Sequence, residues 1–250
     1  MEPKKDGRTV SEDAFFHSPF AMGVADGVGS FRRRGIDASV SSRSAMRAVC
    51  NRSIRGEREG KPASAMDLMY EAYAAATMVQ GATTVCIAAF RSPMQPLLEV
   101  STLGDSGCLV IRNGELLMVT REQWHEFDFP WQMGPTSPDQ ASDAEKYIVE
   151  VRAGDVVICA SDGVLDNVYA SDIAQCAISP SFSSTHAIAR AIVDLALQRS
   201  QSLDGDVPYN GKAMQHGVPR TGGKEDDITC VVSFVGHSLD KSRQDSEHSP

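Results

Sequence analysis

The chain has 250 residues, 42% hydrophobic and 23% charged, the balance of an ordinary globular protein with enough apolar content for a sizeable core. Its 24 Lys and Arg against 33 Asp and Glu leave a formal charge of −9, which gives no general electrostatic reason to bind nucleic acid or an anionic membrane. No apolar stretch approaches the roughly 18–20 residues of a membrane span, and the opening MEPKKDGRTVSEDAFF has the pattern of neither a signal nor a transit peptide. In chain order, AFFHSPFAMGVAD reads as two short strands about a His-Ser-Pro turn, and DGVGSFRRRG as a glycine-rich loop. IDASVSSRSAMRAVCNRSI carries Val40, Ala45, Met46, Val49 and Ile54 at helical spacing. SAMDLMYEAYAAATM is a second expected helix, with Ser64 as its N-cap.

From Gly81 the period changes. TTVCIAAF, LLEVSTLGD, CLVIR, ELLMV and EKYIVEVRAGDVVICAS are β-branched or alternating runs, and Asn113-Gly114 is a hairpin signal because both residues tolerate positive φ. SDIAQCAI and SSTHAIARAIVDLALQRS return to helical spacing. Gln201 to Lys224 is rich in Gly, Pro and Asp and reads as a long surface loop, DITCVVSFVG as a last strand, and residues 238–250 as a polar, disordered tail. Strands in hairpin order with helices in two pairs indicate an α+β protein with antiparallel sheets, and the length suits one large domain or two small ones. Six cysteines form no CxxC pair and most lie in apolar runs, so they are expected as buried free thiols in a reducing compartment. His125, His186 and His216 lack metal-ligand spacing, and Trp124 and Trp131 beside FDFP read as packing.

Acidic residues sit at the mouths of apolar segments: Glu12 and Asp13 in SEDAFF, Asp26 in ADG, Asp105 in GDS, Asp162 in SDG and Asp226 in EDDIT. Each alone is an ordinary turn or cap. Together, at strand ends beside glycines that admit close backbone approach, they have the chemistry for hard cations such as magnesium or manganese. A pair of such ions lowers the pKa of a water and clamps phosphoryl oxygens for in-line attack. A calcium-binding module would instead show a contiguous ligand loop, and none is present in the sequence.

In order, SEDAFF, GVADGVGSF with RRRGID, GATTVCIA, STLGDSGCLV, FDFPWQMG, AGDVVICASDGVLDNV and GGKEDDITCVV resemble the metal-dependent serine/threonine protein phosphatases of type 2C, from about Arg8 to Gly236. DGVGSF, FDFPWQMG and SDGVLDNV look most like its small stand-alone subfamily, some of whose members are mitochondrial. The resemblance implies one catalytic domain over residues 1–237, a four-layer α-β-β-α sandwich with a dinuclear site at one edge. It implies that Asp26 bridges two Mg2+ or Mn2+ ions, that Gly27 gives its carbonyl, and that Asp162 and Asp226 complete one ion. Glu12 would bind the other, directly or through water. Asp105 would help hold a weaker third ion, and Arg8 would bind phosphate through its bidentate fork. Asp162 is the ligand expected of SDGVLDN, with Asp166 and Asn167 capping the next segment and Asp13 structural. The implied reaction is direct attack by metal-activated water on phosphoserine or phosphothreonine in a phosphoprotein, by a monomer in the cytoplasm or the mitochondrial matrix.

The chain departs from that pattern at two places. Val28 stands where many members have a candidate general-acid histidine, a contribution worth about 10²–10⁴-fold, although the small subfamily also lacks it. Little chain precedes Arg8 for the strand the family usually has there. Arg32, Arg33 and Arg34 read either as a solvated loop or as a basic rim for substrate. Two other functions share these motifs: a non-catalytic regulator of the same fold, whose mark would be lost ligand aspartates, and a phosphatase of small phosphoesters.

Overall fold

A computed structural model describes residues 10–92, 95–178 and 184–236. Arg8 and the tail expected over 238–250 lie outside these residues. In chain order the strands are β1 (Ala14–His17), β2 (Ala21–Gly27), β3 (Thr83–Phe90), β4 (Leu97–Leu103), β5 (Gly107–Arg112), β6 (Glu115–Val119), β7 (Trp124–Glu126), β8 (Phe129–Pro130), β9 (Glu145–Glu150), β10 (Val156–Ala160) and β11 (Cys230–Phe234). The helices are α1 (Ser39–Arg58), α2 (Ala65–Ala76), α3 (Asp162–Leu165), α4 (Ala170–Ile178), α5 (Thr185–Ser200) and α6 (Pro208–Gln215). One sheet runs β1-β2-β3-β4-β9 and the other β11-β10-β5-β6, every pairing antiparallel.

Burial explains the layers. Strand β3 is buried on both faces, as its unbroken TTVCIAAF run requires of a central strand. Its Val85, Ile87 and Ala89 join Met46, Val49, Leu68 and Met69 from α1 and α2 in one core. Its Cys86 and Ala88 face the second sheet, where they meet Cys108, Val110, Val157 and Cys159. The far face of the second sheet packs Leu109, Ile111 and Ile158 on Ile173 of α4 and on Ile188 and Ile192 of α5. The result is the expected α-β-β-α sandwich.

Local signals hold where the chemistry is local. Ser64 caps α2 by accepting from the Asp67 N–H at 3.0 Å, while Asp67 accepts from the Ser64 N–H at 3.0 Å. Asn113 and Gly114 take φ of 51° and 86° between β5 and β6. All six cysteines are free; Cys86, Cys108 and Cys159 lie wholly inside the sandwich.

Three expectations are corrected. Gly29–Arg34 is a 3₁₀ helix rather than a loop. Val40 is exposed, because α1 turns Ala45, Met46 and Val49 inward instead. The surface loop over 201–224 contains α6, whose Tyr209 and Ala213 are buried together with Val207.

Candidate functional site

The strand register decides where the acidic residues go. In the first sheet, Ala14 pairs with Ala25, Gly27 with Thr83, and Val85 with Leu103. The start of β1, the end of β2, the start of β3 and the end of β4 therefore share one edge. In the second sheet, Ala160 pairs with both Gly107 and Cys230, so the end of β10 and the starts of β5 and β11 share an edge too. The Thr84 and Ser106 hydroxyls bond across the sheets at 2.8 Å. Ser161 Oγ, after β10, donates to Asp13 Oδ2 at 2.8 Å, before β1. The two edges are thus one edge of the sandwich, and Glu12, Asp26, Asp105, Asp162 and Asp226 all flank it.

Glu12 is placed from both sides. Its N–H donates to Asp227 Oδ2 at 2.6 Å, and its carbonyl accepts from the Gly27 N–H at 3.2 Å and from the Ser42 hydroxyl. The approach at Gly27 admits no side chain: a Cβ there would stand 2.5 Å from the Ala38 oxygen and 2.8 Å from the Glu12 oxygen. The Glu12 carboxylate is gripped by both sides of the Arg32 guanidinium. That separates Arg32 from the rim expected of residues 32–34; Arg34 instead lies 5.7 Å over the Phe31 ring.

Asp162 opens α3 directly beyond β10, and Asp166, one turn on, donates its N–H to the Asp162 carbonyl at 2.7 Å. The i,i+4 spacing sets both carboxylates on one side. Lys224 Nζ stands between them, 2.7 Å from Asp162 Oδ2 and 2.7 Å from Asp166 Oδ2, with Asp128 at 3.3 Å and Asp226 at 3.9 Å. Lys212 Nζ bonds Asp166 Oδ1 at 2.6 Å and Glu122. Asn167 fixes the Lys224 backbone, accepting from its N–H at 2.9 Å and donating to its carbonyl at 2.8 Å. Asp166 and Asn167 were expected only to cap a turn. They hold the loop that carries Asp226, and neither lysine was foreseen. The sequence signal for Asp166 was its spacing from Asp162; for Lys224 there was only its position two residues before Asp226.

Like charges in a buried space leave their mark. Burial, then Asp162, Asp13, Asp226 and Asp105, push the Asp26 carboxyl well above its usual range. Burial and then Asp162 do the same to Asp105, whose Oδ1 is buried without a hydrogen-bond partner among the described residues. Burial carries Asp13, beside Glu12, up to about 7. Burial works to raise Asp162 as well, but the Lys224 ammonium and its hydrogen bond, joined by Asp26 and Lys212, hold it below its usual range. The carboxylates are neighbours rather than a finished cage, for no three His, Cys, Asp or Glu side chains are gathered as a metal-ligand cluster among the described residues. The donors nevertheless fit hard divalent cations: all oxygen, crowded with like charge, with an unpartnered buried carboxylate oxygen and a glycine whose backbone can be approached. The histidines stand apart. His125 Nε2 pairs with Asp139 at 2.9 Å, and His216 stacks on Phe127 at 5.4 Å.

A family model described as Protein phosphatase 2C matches residues 6–199. The probable protein phosphatase 2C 55 of Arabidopsis thaliana is 34% identical over 248 residues, 96% of this chain and 51% of that protein. The chain spans about half the length of the curated relatives it matches first. The X-ray structure of the photosystem II phosphatase PBCP is 30% identical, with a TM-score of 0.79 over 90% of this chain and 91% of that one. The catalytic domain of the serine threonine protein phosphatase PstP, solved with 2 manganese ions, shares the fold at 18% identity, with a TM-score of 0.65 over 94% of this chain and 96% of that one.

Proposed function

This chain belongs to the protein phosphatase 2C family, and from that premise we propose that it is a metal-dependent phosphatase of phosphoserine and phosphothreonine in proteins. The observation that carries the reading is the gathering of Glu12, Asp26, Asp105, Asp162 and Asp226, from five distant stretches of sequence, at one edge of the sandwich. In this reading Asp26, the Gly27 carbonyl, Asp162 and Asp226 would hold the metal ions, with Glu12 contributing directly or through water. Mg2+ or Mn2+ would supply a water of lowered pKa and neutralise the phosphoryl oxygens. This chain's own part is to hold that geometry. Thr83 Oγ1 donates to the Asp26 carbonyl at 2.7 Å and fixes the end of β2. Ser161 accepts from the Thr229 N–H at 3.1 Å and ties the Asp162 turn to the segment carrying Asp226. Arg8 is proposed as the phosphate-binding arginine by its place in the motif order.

With Val28 where a histidine acid would stand, proton delivery to the leaving group falls to water at the site, which favours substrates with better leaving groups. The non-catalytic alternative would be marked by lost aspartates, and Asp26, Asp105, Asp162 and Asp226 are all present. The domain is proposed to run through residue 237 and to act as a monomer on phosphoproteins. No helix among the described residues is long and apolar enough to cross a membrane, and the free thiols suit a reducing cytoplasm or mitochondrial matrix.

The test is hydrolysis of a phosphothreonine peptide in Mn2+, in Mg2+ and in EDTA, by the wild type and by Asp162→Asn. Turnover is expected with either ion, is lost in EDTA, and falls by about 10²–10³-fold in the variant, on the scale of losing an electrostatic stabiliser of the transition state. A variant that turns over like wild type would sink the assignment of Asp162.

A further inference from the structure

The most unusual group at this edge is a cation. The Lys224 side chain is 17% exposed, and four carboxylates lie within 3.9 Å of its ammonium. It is held there by more than charge. Asn167 pins its backbone on both sides, and its ammonium lies 5.0 Å over the Tyr209 ring, itself buried in α6. Tyr209 is fixed in turn, its N–H donating to the Asp166 carbonyl at 3.0 Å. Lys212, from the same helix, takes the other Asp166 oxygen. The lysine therefore enters on a braced loop, against an aromatic floor, and reaches a gap bounded by Asp162 and Asp166 with Asp105 nearby.

That gap is where Asp105, Asp162 and Asp166 could together hold a further divalent ion. Both Asp162 and Asp166 already spend an oxygen on Lys224, and a divalent ion drawing on the same oxygens would have to separate the ammonium from them. Like charges do not share such a space without a large penalty in low dielectric.

Resting on the phosphatase reading above, we propose that the Lys224 ammonium is a resident cation of the acidic pocket, seated between Asp162 and Asp166 in the place of a further divalent ion. Metal uptake then stops at the ions served by Asp26, Asp162 and Asp226. Lys224 is a positioning residue: it aims Asp162 and neutralises Asp166, and it does so at every metal concentration.

The experiment is calorimetric titration of Mn2+ into the full chain, first stripped with EDTA and dialysed free of it, for wild type, Lys224→Met and Lys224→Arg. Lys224→Met is expected to take up one more ion per chain than wild type, and Lys224→Arg the same number as wild type. Equal numbers in wild type and Lys224→Met overturn the proposal while leaving the phosphatase reading intact. A wild type that takes up no Mn2+ removes both. Should Lys224→Met fail to fold, acetylation of the wild type by an N-hydroxysuccinimide ester, read by peptide mass spectrometry, decides the matter. Lys224 is expected to stay protected with and without Mn2+, and acetylation that appears on adding Mn2+ would show the ion displacing the ammonium.

Discussion

At the residue scale, a Cβ on Gly163 would stand 1.9 Å from the Asp227 carbonyl oxygen and 3.4 Å from the Asp226 Cβ. The contact is with backbone, so the segment carrying Asp226 must move. Gly163→Ala is expected to destabilise by about 1–3 kcal/mol, the usual range for overpacking. It should also lower Mn2+-dependent turnover at least about 10-fold, as displaced ligands do. Gly211→Ala, with nothing within 4 Å of the new methyl, is the control and should leave turnover unchanged; equal losses in both would show that turnover does not report this contact. The placement of Asp162 and Gly163 was legible in sequence because it comes from neighbours along the chain: a buried strand behind and a sharp departure ahead. Lys224 was not, because its partners Asp162 and Asp166 are 62 and 58 residues away. Arg32 was misread for the same reason. Its composition suits a solvated loop, and only the fold shows that Glu12, 20 residues earlier, lies within its reach.

At the element scale, β5 and β10 are held by more than their ladder. Arg112, closing β5, donates two hydrogen bonds to Asp155, ahead of β10, at 2.8 and 2.7 Å, and Asp155 also accepts from the Arg152 N–H at 2.7 Å. Burial works to raise the Asp155 carboxyl, but these partners hold it below its usual value of 3.8. A depressed carboxylate contributes stability that is fully present above the unfolded value and is lost as pH falls through the folded one. Asp155→Asn is therefore expected to lower stability by about 1.5–3 kcal/mol at pH 7, with the difference from wild type shrinking below pH 3.8. Urea melts across pH would show this, and a difference independent of pH would refute it. Elements whose determinants are local were legible, such as the Ser64 cap and the Asn113-Gly114 turn. The α6 helix was not. PYNGKAMQ carries Tyr, Asn and Gly in its first turn, which are weak helix formers, and its stability comes from burying Tyr209 and Ala213 and from the lysine contacts of its far side.

At the scale of the whole molecule, the crowded carboxylates make the metal-free fold carry unfavourable repulsion that ions relieve. Mn2+ at about 100 times its dissociation constant should add about 2.7 kcal/mol of stability, a rise of roughly 5–10 °C in Tm for a chain of this size. EDTA should reverse it, and an equal rise in Asp162→Asn would place the ions elsewhere. The layer order was readable because period-2 runs and paired amphipathic helices admit few packings, whereas the closing of the two sheet edges into one depends on contacts such as Ser161 with Asp13, 148 residues apart. That separation also sets an order in time. On the ribosome, residues 12, 26, 105 and 162 emerge before residues 224 and 226, so the nascent edge is anionic and incomplete until that segment appears. Asp226, the last of the proposed ligands, and the Lys224 counter-ion then arrive together on one short segment directly ahead of β11, so charge balance and the edge strand of the second sheet come in the same step.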